Sequence, residues 1–368
     1  MKIATILGTR PEIIKLSPLI PLLDKHFAIA NHVLIHTGQH YDSELDKAFF
    51  KELDLRKPHY LQIANYKYLS PEKKEYEMRS KLKAILIRER PDLVLVQGDT
   101  RSAFIGADVA HELNIKIAHV EAGCRSFNLE QPEEINRKKI DMIASYLFAP
   151  DEISRNNLKN EGIDERKIFV VGNTSVDACF RNKQFAEKST LLQNNDIQEG
   201  NYVLATIHRA ESTDNKENLL SIINALNHIS NHIKIVFPVH PRTSASLEKF
   251  GIKLPSSIKR LTPLPYIAFL HLLSKSRFCI SDSGGVQEEA ALLNIPCIVA
   301  RNETEWVSYI LAGKNILVGT KTNNIVNAAK ELLNDAKLKE VKSIQVDYIP
   351  DASQRIVNKL KEIYHDHP

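Results

Sequence analysis

The sequence predicts an α/β protein with two Rossmann-like domains, each built on a parallel β-sheet. Short runs rich in Val, Ile and Leu alternate with segments whose apolar residues recur at helical spacing. Such strands, separated by helices of ten or more residues, are typical of parallel sheets covered on both faces. The alternation stops in a polar, loop-like stretch, residues 188–200, and then resumes. Two successive sheets, joined somewhere in 175–200, therefore fit the chain.

The first half begins with a strand and then alternates strands with helices. Strands are predicted at 2–8, 32–38, 92–99 and 116–123, and helices at 11–26, 45–53, 78–90 and 102–113. Pro11 suits a helix start, because the N–H that proline lacks has no partner in the first turn of a helix.

The second half repeats the pattern. Strands are predicted at 201–208, 233–240, 278–284, 295–301 and 315–319, and helices at 216–230 and 287–294. We expect one domain over residues 1–180 and a second over 195–345. A final helical segment, 346–368, is expected to pack back on the first domain.

The composition argues against several classes of protein. The chain of 368 residues is 43% hydrophobic and 26% charged, as globular proteins are. The 49 Lys and Arg residues exceed the 45 Asp and Glu residues only slightly and form no basic block, so no nucleic acid partner is expected. No apolar run approaches the ~18 residues of a membrane span, and the N-terminus reads as a strand rather than a signal peptide. Four cysteines without a CxxC pair predict a reduced, soluble, cytoplasmic protein with no zinc site and no membrane partner.

Polar clusters follow seven of the predicted strands. Ligands of open parallel sheets bind beyond the carboxyl ends of the strands. The clusters come from both halves of the chain, which predicts one ligand cleft between two domains. They occupy residues 8–10, 37–40, 97–100, 121–123, 208–209, 240–242 and 282–285.

Gly284 and Gly285 follow a strand and open a helical pattern, so their amides would lie at a helix N-terminus. Such an end favours anions, and Ser283 adds a hydroxyl donor, so we predict phosphate binding. The alternative is a tight turn that needs glycine for its geometry. Glu288 and Glu289 are expected in the first helical turn, where they either complement the dipole or accept ribose hydroxyls.

Arg10 follows a Gly turn at the first strand end, where its planar fork suits phosphate, and Lys15 lies about one helical turn further on. An exposed arginine beside a dipole-pairing Glu12 is an equally good interpretation of this segment alone. The chain has no G-x-G-x-x-G and no Walker A pattern. A dinucleotide redox cofactor and ATP hydrolysis are therefore disfavoured, and no cofactor is expected.

Asp99, Glu121 and Glu133 form the acidic part of the predicted cleft. Three carboxylates around one cleft suit acid/base catalysis, or the stabilisation of a developing cation on a sugar ring. The alternatives are an N-cap for Asp99 and a helix N-terminal charge preference for Glu133 and Glu134. His119 lies on the same strand face as Glu121, where a hydrogen-bonded core histidine is at least as good an interpretation.

His208 and His240 end strands of the second half, each close to an arginine (Arg209 and Arg242). These groups could offset the charge of a pyrophosphate leaving group, although an isolated histidine is more often structural. His40, His208 and His240 could also be metal ligands, but no metal-ligand spacing supports this, and no metal is expected.

Together these segments resemble the non-hydrolysing UDP-N-acetylglucosamine 2-epimerase family. Ten matching stretches occur in order over nearly the whole chain, at 8–19, 37–40, 97–100, 119–126, 132–137, 149–158, 171–178, 208–212, 240–242 and 282–290. The resemblance implies a glycosyltransferase-B arrangement with UDP-sugar in an interdomain cleft, and often a homodimer. It also implies reversible inversion at C2 without nicotinamide, by elimination of UDP to a 2-acetamidoglucal and re-addition.

The resemblance implies roles for single residues. Asp99, Glu121 and Glu133 match the acid/base and cation-stabilising residues, and His208 matches the leaving-group partner. The residues matched to UDP contacts are Arg10, His240, Ser283, Gly284, Gly285 and Glu289, with Glu289 toward the ribose. Lys15, His40, Arg137 and Arg209 complete the predicted substrate-binding set.

Four segments depart from the family pattern: residues 62–80, Arg101, Met142 and residues 304–309. The first departure puts the activating second substrate site of bacterial members in doubt. The others suggest a modified N-acetyl sugar, such as an acetamido uronic acid whose carboxylate meets Arg101. Two other functions stay open: a glycosyltransferase of the same architecture, and a UDP-sugar-binding protein without catalysis.

Overall fold

The computed structural model describes residues 1–39, 49–61, 70–304 and 306–365. These residues divide into two compact units. The first unit contains Met1–Ala178 and Tyr348–Pro368, and the second contains Cys179–Asp347. Within the described ranges, no helix is long and apolar enough to cross a membrane.

The described part of the first unit contains a sheet of seven strands, all paired in parallel. The strands are β1 (Ile3–Leu7), β2 (His32–His36), β3 (Tyr60–Leu61), β4 (Leu93–Gln97), β5 (Lys116–Val120), β6 (Tyr146–Ala149) and β7 (Ile168–Val170). Their order is β3-β2-β1-β4-β5-β6-β7, so the chain reverses its direction of winding between β1 and β4. Such a switch point leaves a crevice at the carboxyl ends of the two strands, where ligands of this fold class bind.

Helices cover this sheet at Arg10–Leu16, Leu19–Phe27, Pro71–Glu89, Arg101–Glu112, Pro132–Ile143 and Glu152–Asn160, with short 3-10 helices at Ile29–Asn31 and Glu165–Lys167. Residues 49–52 are also helical. Residues 45–48, the start of the helix predicted at 45–53, lie outside the described residues. The helix Ala352–His365 packs on Leu19–Phe27 within the same unit. Its N-terminus is held by Asp177, whose carboxylate accepts hydrogen bonds from the backbone N–H groups of Ala352 and Ser353 at 3.3 and 2.7 Å.

The single helix predicted over residues 11–26 was wrong. The segment forms two helices, and the first ends at Leu16. Pro18 has no N–H to continue the ladder, and its ring would clash with a carbonyl of the preceding turn, so the chain restarts at Leu19.

The described part of the second unit contains a parallel sheet of six strands. These are β8 (Tyr202–Thr206), β9 (Lys234–Pro238), β10 (Ile258–Leu261), β11 (Phe278–Ser281), β12 (Cys297–Val299) and β13 (Asn315–Leu317). The order β10-β9-β8-β11-β12-β13 places a switch point between β8 and β11. The helices of this unit are Leu191–Asn194, Ala210–Thr213, Lys216–Ser230, Pro241–Phe250, Tyr266–Ser274, Gly284–Leu292, Val307–Leu311, Thr322–Leu333 and Asp335–Ser343, and Thr174–Ala186 joins the two units.

Candidate active site

Gly8 allows the loop after β1 to lie against the loops of its neighbours. A Cβ atom at this position would stand 2.1 Å from the hydroxyl oxygens of Ser102 and Thr37, a distance that no side chain tolerates. Glycine therefore permits Thr9 and Arg10 to reach the switch point of the first sheet. Arg10 is exposed there, and its guanidinium carbon lies 5.9 Å from the centre of the Phe49 ring.

Glu121 follows β5 and is held by two donors. The Lys15 ammonium and the Gln97 side-chain amide both contact its Oε2 atom at 2.6 Å. The backbone of Glu121 has a φ of 69°, in the left-handed region that non-glycine residues rarely adopt. Strain of this kind persists where surrounding contacts fix the residue, and it is common at functional sites. Gln97 was within a predicted cluster but had no predicted role, because an uncharged residue at a strand end carries little signal.

Asp99 follows the adjacent strand β4 and pairs with the Arg137 guanidinium. Asn136 donates from its side chain to the Asp99 backbone carbonyl at 3.0 Å, so one helix, Pro132–Ile143, holds this loop twice. Burial raises the pKa of Asp99, and the negative charges of Glu121 and Glu133 act in the same direction, whereas Arg137 and Lys15 oppose them. A carboxyl group with a raised pKa is better matched to proton transfer near neutral pH.

Glu133 lies exposed in the first turn of the helix Pro132–Ile143. It is close enough to Asp99 to raise the pKa of that carboxyl group, so the three predicted carboxylates belong to one electrostatic cluster. Thr100, not Asp99, caps the next helix: its hydroxyl accepts from the Ala103 N–H at 3.0 Å. The N-cap alternative for Asp99 is therefore wrong.

Glu12 is a buried carboxylate that joins two of these loops. Its Oε2 atom accepts from the N–H groups of Gly8 and Thr9 and from the Thr9 hydroxyl at 2.8–2.9 Å. Its Oε1 atom accepts from the Thr100 hydroxyl at 2.8 Å. Burial raises the pKa of Glu12 to about 7, against the lowering effect of these hydrogen bonds. Glu12 thus links the loop of Arg10 to the loop of Asp99, which makes it more than a partner of the helix dipole.

His119 lies fully buried behind the carboxylate cluster. Its Nδ1 atom contacts Asp141 at 2.7 Å, and its Nε2 atom contacts the backbone carbonyl of Gly98 at 2.8 Å. Asp141 also accepts from the Gly123 N–H at 3.2 Å. The pair therefore holds the loop of Asp99 and the loop of Glu121 from behind, as a hydrogen-bonded core histidine would.

In the second unit, the buried Asp282 organises the loop after β8. Its carboxylate accepts from the backbone N–H groups of His208 at 3.0 Å and of Arg209 at 2.9 Å. Burial lowers the pKa of the His208 ring, Arg209 and Arg242 lower it further, and Asp282 opposes them. The lowered pKa favours the neutral ring, and a neutral imidazole can still donate one hydrogen bond to a phosphate. Asp282 was within a predicted cluster but had no predicted role.

His240 is the exposed N-cap of the helix Pro241–Phe250, and its Nδ1 atom accepts from the Arg242 N–H at 3.2 Å. Its ring lies 5.3 Å from that of His208, centre to centre. Arg242 contacts Asp214 at 3.3 Å. Two predicted phosphate partners, His208 and His240, therefore lie side by side after the neighbouring strands β8 and β9.

Ser283 is the N-cap of the helix Gly284–Leu292. Gly285 is exposed, and a Cβ atom there would meet no atom within 4 Å, so the turn does not need this glycine to avoid a clash. Backbone N–H groups at such an end attract anions, which suits the predicted phosphate site. Glu288 and Glu289 lie in the second turn, so placing them in the first was wrong: the helix begins at Gly284.

Glu289 accepts a hydrogen bond from the Tyr266 hydroxyl at 2.8 Å. Burial raises the pKa of Tyr266, and the negative charge of Glu289 adds to this. The carboxylate of Glu289 is only half-buried, which is compatible with the predicted ribose contact.

The departures from the family pattern are placed as follows. Arg101 is exposed at the first position of its helix, next to Thr100, and Met142 is 73% exposed. Thr304 donates to the Gln287 side chain at 2.6 Å, and Trp306 stacks on Tyr309. His40 and residues 62–69 lie outside the described residues.

Across the described ranges, no three His, Cys, Asp or Glu side chains group as metal ligands would.

A family model described as UDP-N-acetylglucosamine 2-epimerase matches residues 24–361. The UDP-N-acetylglucosamine 2-epimerase of Methanocaldococcus jannaschii is 46% identical over 344 residues, which cover 91% of this chain and 93% of the relative. The UDP-2,3-diacetamido-2,3-dideoxy-D-glucuronate 2-epimerase of Pseudomonas aeruginosa is 39% identical over 337 residues, covering 90% of this chain and 92% of the relative.

Solved structures are similar over the whole chain. The Methanocaldococcus jannaschii enzyme in complex with UDP-GlcNAc and UDP matches with a TM-score of 0.85 at 42% identity, over 98% of this chain and all of that one. The Neisseria meningitidis enzyme bound to UDP-GlcNAc matches with a TM-score of 0.89 at 31% identity, over the same fractions. Both are described as UDP-GlcNAc 2-epimerases.

Proposed function

The chain belongs to the UDP-N-acetylglucosamine 2-epimerase family, and we propose that it interconverts UDP-N-acetylglucosamine and its C2 epimer, UDP-N-acetylmannosamine. The observation that carries the proposal is the cluster of Asp99, Glu121 and Glu133 at the switch point of the first sheet. In the proposal the first unit performs chemistry on the sugar, and the second unit binds the UDP.

The proposed reaction is an elimination followed by re-addition. The C1–O bond to UDP breaks, its electron pair leaves with UDP, and a carboxylate removes the C2 proton to give a C1=C2 double bond. A carboxylic acid then returns a proton to the opposite face of C2, and UDP adds back to C1. Loss of UDP is required because the C2 proton of an intact sugar is barely acidic. A cationic C1 next to it makes the C2 proton much more acidic.

The residues suit these steps. Two carboxylates at neighbouring strand ends, Asp99 and Glu121, can stabilise a developing cation and exchange a proton. The His208 ring and the amides of Gly284 and Gly285 can hold the departing pyrophosphate. Arg10 and Arg209 supply forked donors of the kind that pair with phosphate.

The proposal is tested by proton NMR of UDP-N-acetylglucosamine incubated with the protein in D2O. We expect the C2 proton signal to disappear and signals of the manno epimer to appear. An 18O label in the bridging C1–O position is expected to scramble into the non-bridging oxygens of the β-phosphate, because that bond breaks. UDP binding without C2 exchange would contradict the proposal for this sugar and favour a modified sugar, a glycosyltransferase or a non-catalytic binder.

A modified sugar is the second candidate, because Arg101 is exposed directly after the loop of Asp99 and a diacetamido-glucuronate 2-epimerase is 39% identical. If Arg101 pairs with a uronate carboxylate, Arg101→Thr should lower kcat/KM for the UDP-diacetamido uronate by about 10-fold, the value of one charge-assisted hydrogen bond. The kcat/KM for UDP-N-acetylglucosamine should stay unchanged. An unaltered ratio of the two kcat/KM values would contradict this hypothesis. A homodimer and a cytoplasmic location stay predictions.

A further inference from the structure

Glu134 stands at the centre of a buried network that the proposed reaction does not use. It is fully buried in the first turn of the helix Pro132–Ile143. Its Oε2 atom accepts from the Ser126 N–H at 2.9 Å, the Ser126 hydroxyl at 3.1 Å and the Arg137 guanidinium at 2.7 Å, and its Oε1 atom accepts from the Phe127 N–H at 3.4 Å. A buried carboxylate with this many donors is a fixed element of its surroundings.

Arg137 connects Glu134 to the candidate catalytic group. One of its terminal nitrogens contacts Glu134 and the other contacts Asp99. The planar fork of a guanidinium can bridge two carboxylates in a fixed geometry, which a lysine ammonium on a flexible stem cannot do. The Arg137 side chain is 13% exposed, so water competes little for these contacts.

Resting on the proposed function, we propose that Glu134 is a positioning residue that acts through Arg137 on Asp99. It fixes the Arg137 guanidinium beside Asp99 and takes up part of its positive charge. Without the Glu134 charge, Arg137 keeps only its contact with Asp99, so both groups can shift from the position that the two contacts define. The same carboxylate holds the backbone of Phe127, whose φ of 58° needs such support.

The proposal predicts the direction of a pH effect. Asp99 is faced by Lys15 from the helix Arg10–Leu16, by Glu121 after β5, and by Glu133 and Arg137 from the helix Pro132–Ile143. Loss of the Glu134 charge leaves Arg137 a stronger partner for the ionised form of Asp99, and therefore lowers the pKa of Asp99. The inflection that Asp99 contributes to the pH–rate profile should move to lower pH, whether Asp99 acts as acid or as base.

The first test is Glu134→Gln, which keeps the size of the side chain and removes its charge. We expect kcat to fall by about 10- to 100-fold, because small displacements of a catalytic group are costly, with KM changed less than about 3-fold. Glu134→Asp keeps the charge. In this variant the Asp99 inflection of the pH–rate profile should lie at the wild-type position, even if kcat stays low. The matched control is Glu112→Gln. It also removes a carboxylate that pairs with an arginine, Arg79, but at an exposed position.

Two further measurements distinguish the possible failures. Arg137→Lys should lower kcat by a larger factor than it raises KM, which tests the bridge if Glu134→Gln does not fold. Carbon-13 NMR titration of the Asp99 carboxyl group, assigned with Asp99→Asn, reads its pKa in wild type and Glu134→Gln without any turnover. A folded Glu134→Gln with an unmoved Asp99 titration would overturn the proposal, as would an Arg137→Lys variant with normal kcat. An inactive wild type with a shifted titration would count against the proposed function alone.

Discussion

Asp99→Asn is expected to lower the rate of C2 epimerisation by about 100- to 10,000-fold, the usual range for loss of a positioned acid or base. Asparagine has the shape of aspartate but cannot exchange a proton, and it removes the carboxylate that Arg137 contacts. The measurement is the rate of deuterium incorporation at C2 of UDP-N-acetylglucosamine in D2O. The affinity for UDP should change less than about 3-fold, because Asp99 is not among the proposed UDP-binding groups, most of which belong to the second unit.

Asp108→Asn is the matched control for this variant. Asp108 also pairs with an arginine, Arg79, but on the partly exposed surface of the helix Arg101–Glu112, where such pairs contribute little. Its exchange rate should be within about 2-fold of wild type. If Asp99→Asn exchanged deuterium as fast as this control, Asp99 would not be the acid or base, and Glu121 or Glu133 would have to serve alone.

Glu12 is expected to make the stability of the first unit depend on pH. Its pKa is raised from 4.5 to about 7 in the folded protein. A carboxyl group whose pKa is raised by folding stabilises the fold while protonated, so its contribution is complete below pH 4.5 and is lost as the pH rises through 7. The shift corresponds to about 3 kcal/mol in the free energy of unfolding.

Glu12→Gln should remove this pH dependence, because the glutamine amide mimics the protonated acid. The amide oxygen would accept from the N–H groups of Gly8 and Thr9, and the amide nitrogen would donate to the Thr100 hydroxyl. Denaturant unfolding at several pH values between 4.5 and 8 measures the effect. The variant should gain stability relative to wild type as the pH rises, by about 3 kcal/mol over the range. Glu152→Gln, at an exposed position, should follow the wild-type curve. Parallel curves for wild type and Glu12→Gln would show that Glu12 is not the group responsible.

Much of the candidate site could be predicted because it follows from where strands end. Apolar runs marked the strands, and in a parallel sheet their carboxyl ends share one edge. That reasoning placed Asp99 and Glu121 at the ends of adjacent strands. The boundaries of helices were less predictable. The break at Pro18 and the early start of the helix at Gly284 depend on local backbone hydrogen bonding, which residue types indicate only loosely.

The groups that hold the site could not be predicted in the same way. Glu12 meets Thr100 across 88 positions of the chain, and Asp282 meets His208 across 74. In the sequence, Glu134 is one of two adjacent glutamates in a first helical turn, and nothing local tells which of them is buried. The structure buries Glu134 on Arg137 and exposes Glu133.

The sequence by itself determined the class of fold, the strand ends that carry chemistry and the family resemblance, because these depend on local periodicity and on residue types at fixed positions. Only the tertiary structure decided which charged groups are paired and buried, and therefore which pKa values are shifted. Burial and pairing depend on helices and loops that are distant in the chain and close in space. For that reason the carboxylates beneath the site, Glu12 and Glu134, emerged only from the packed protein.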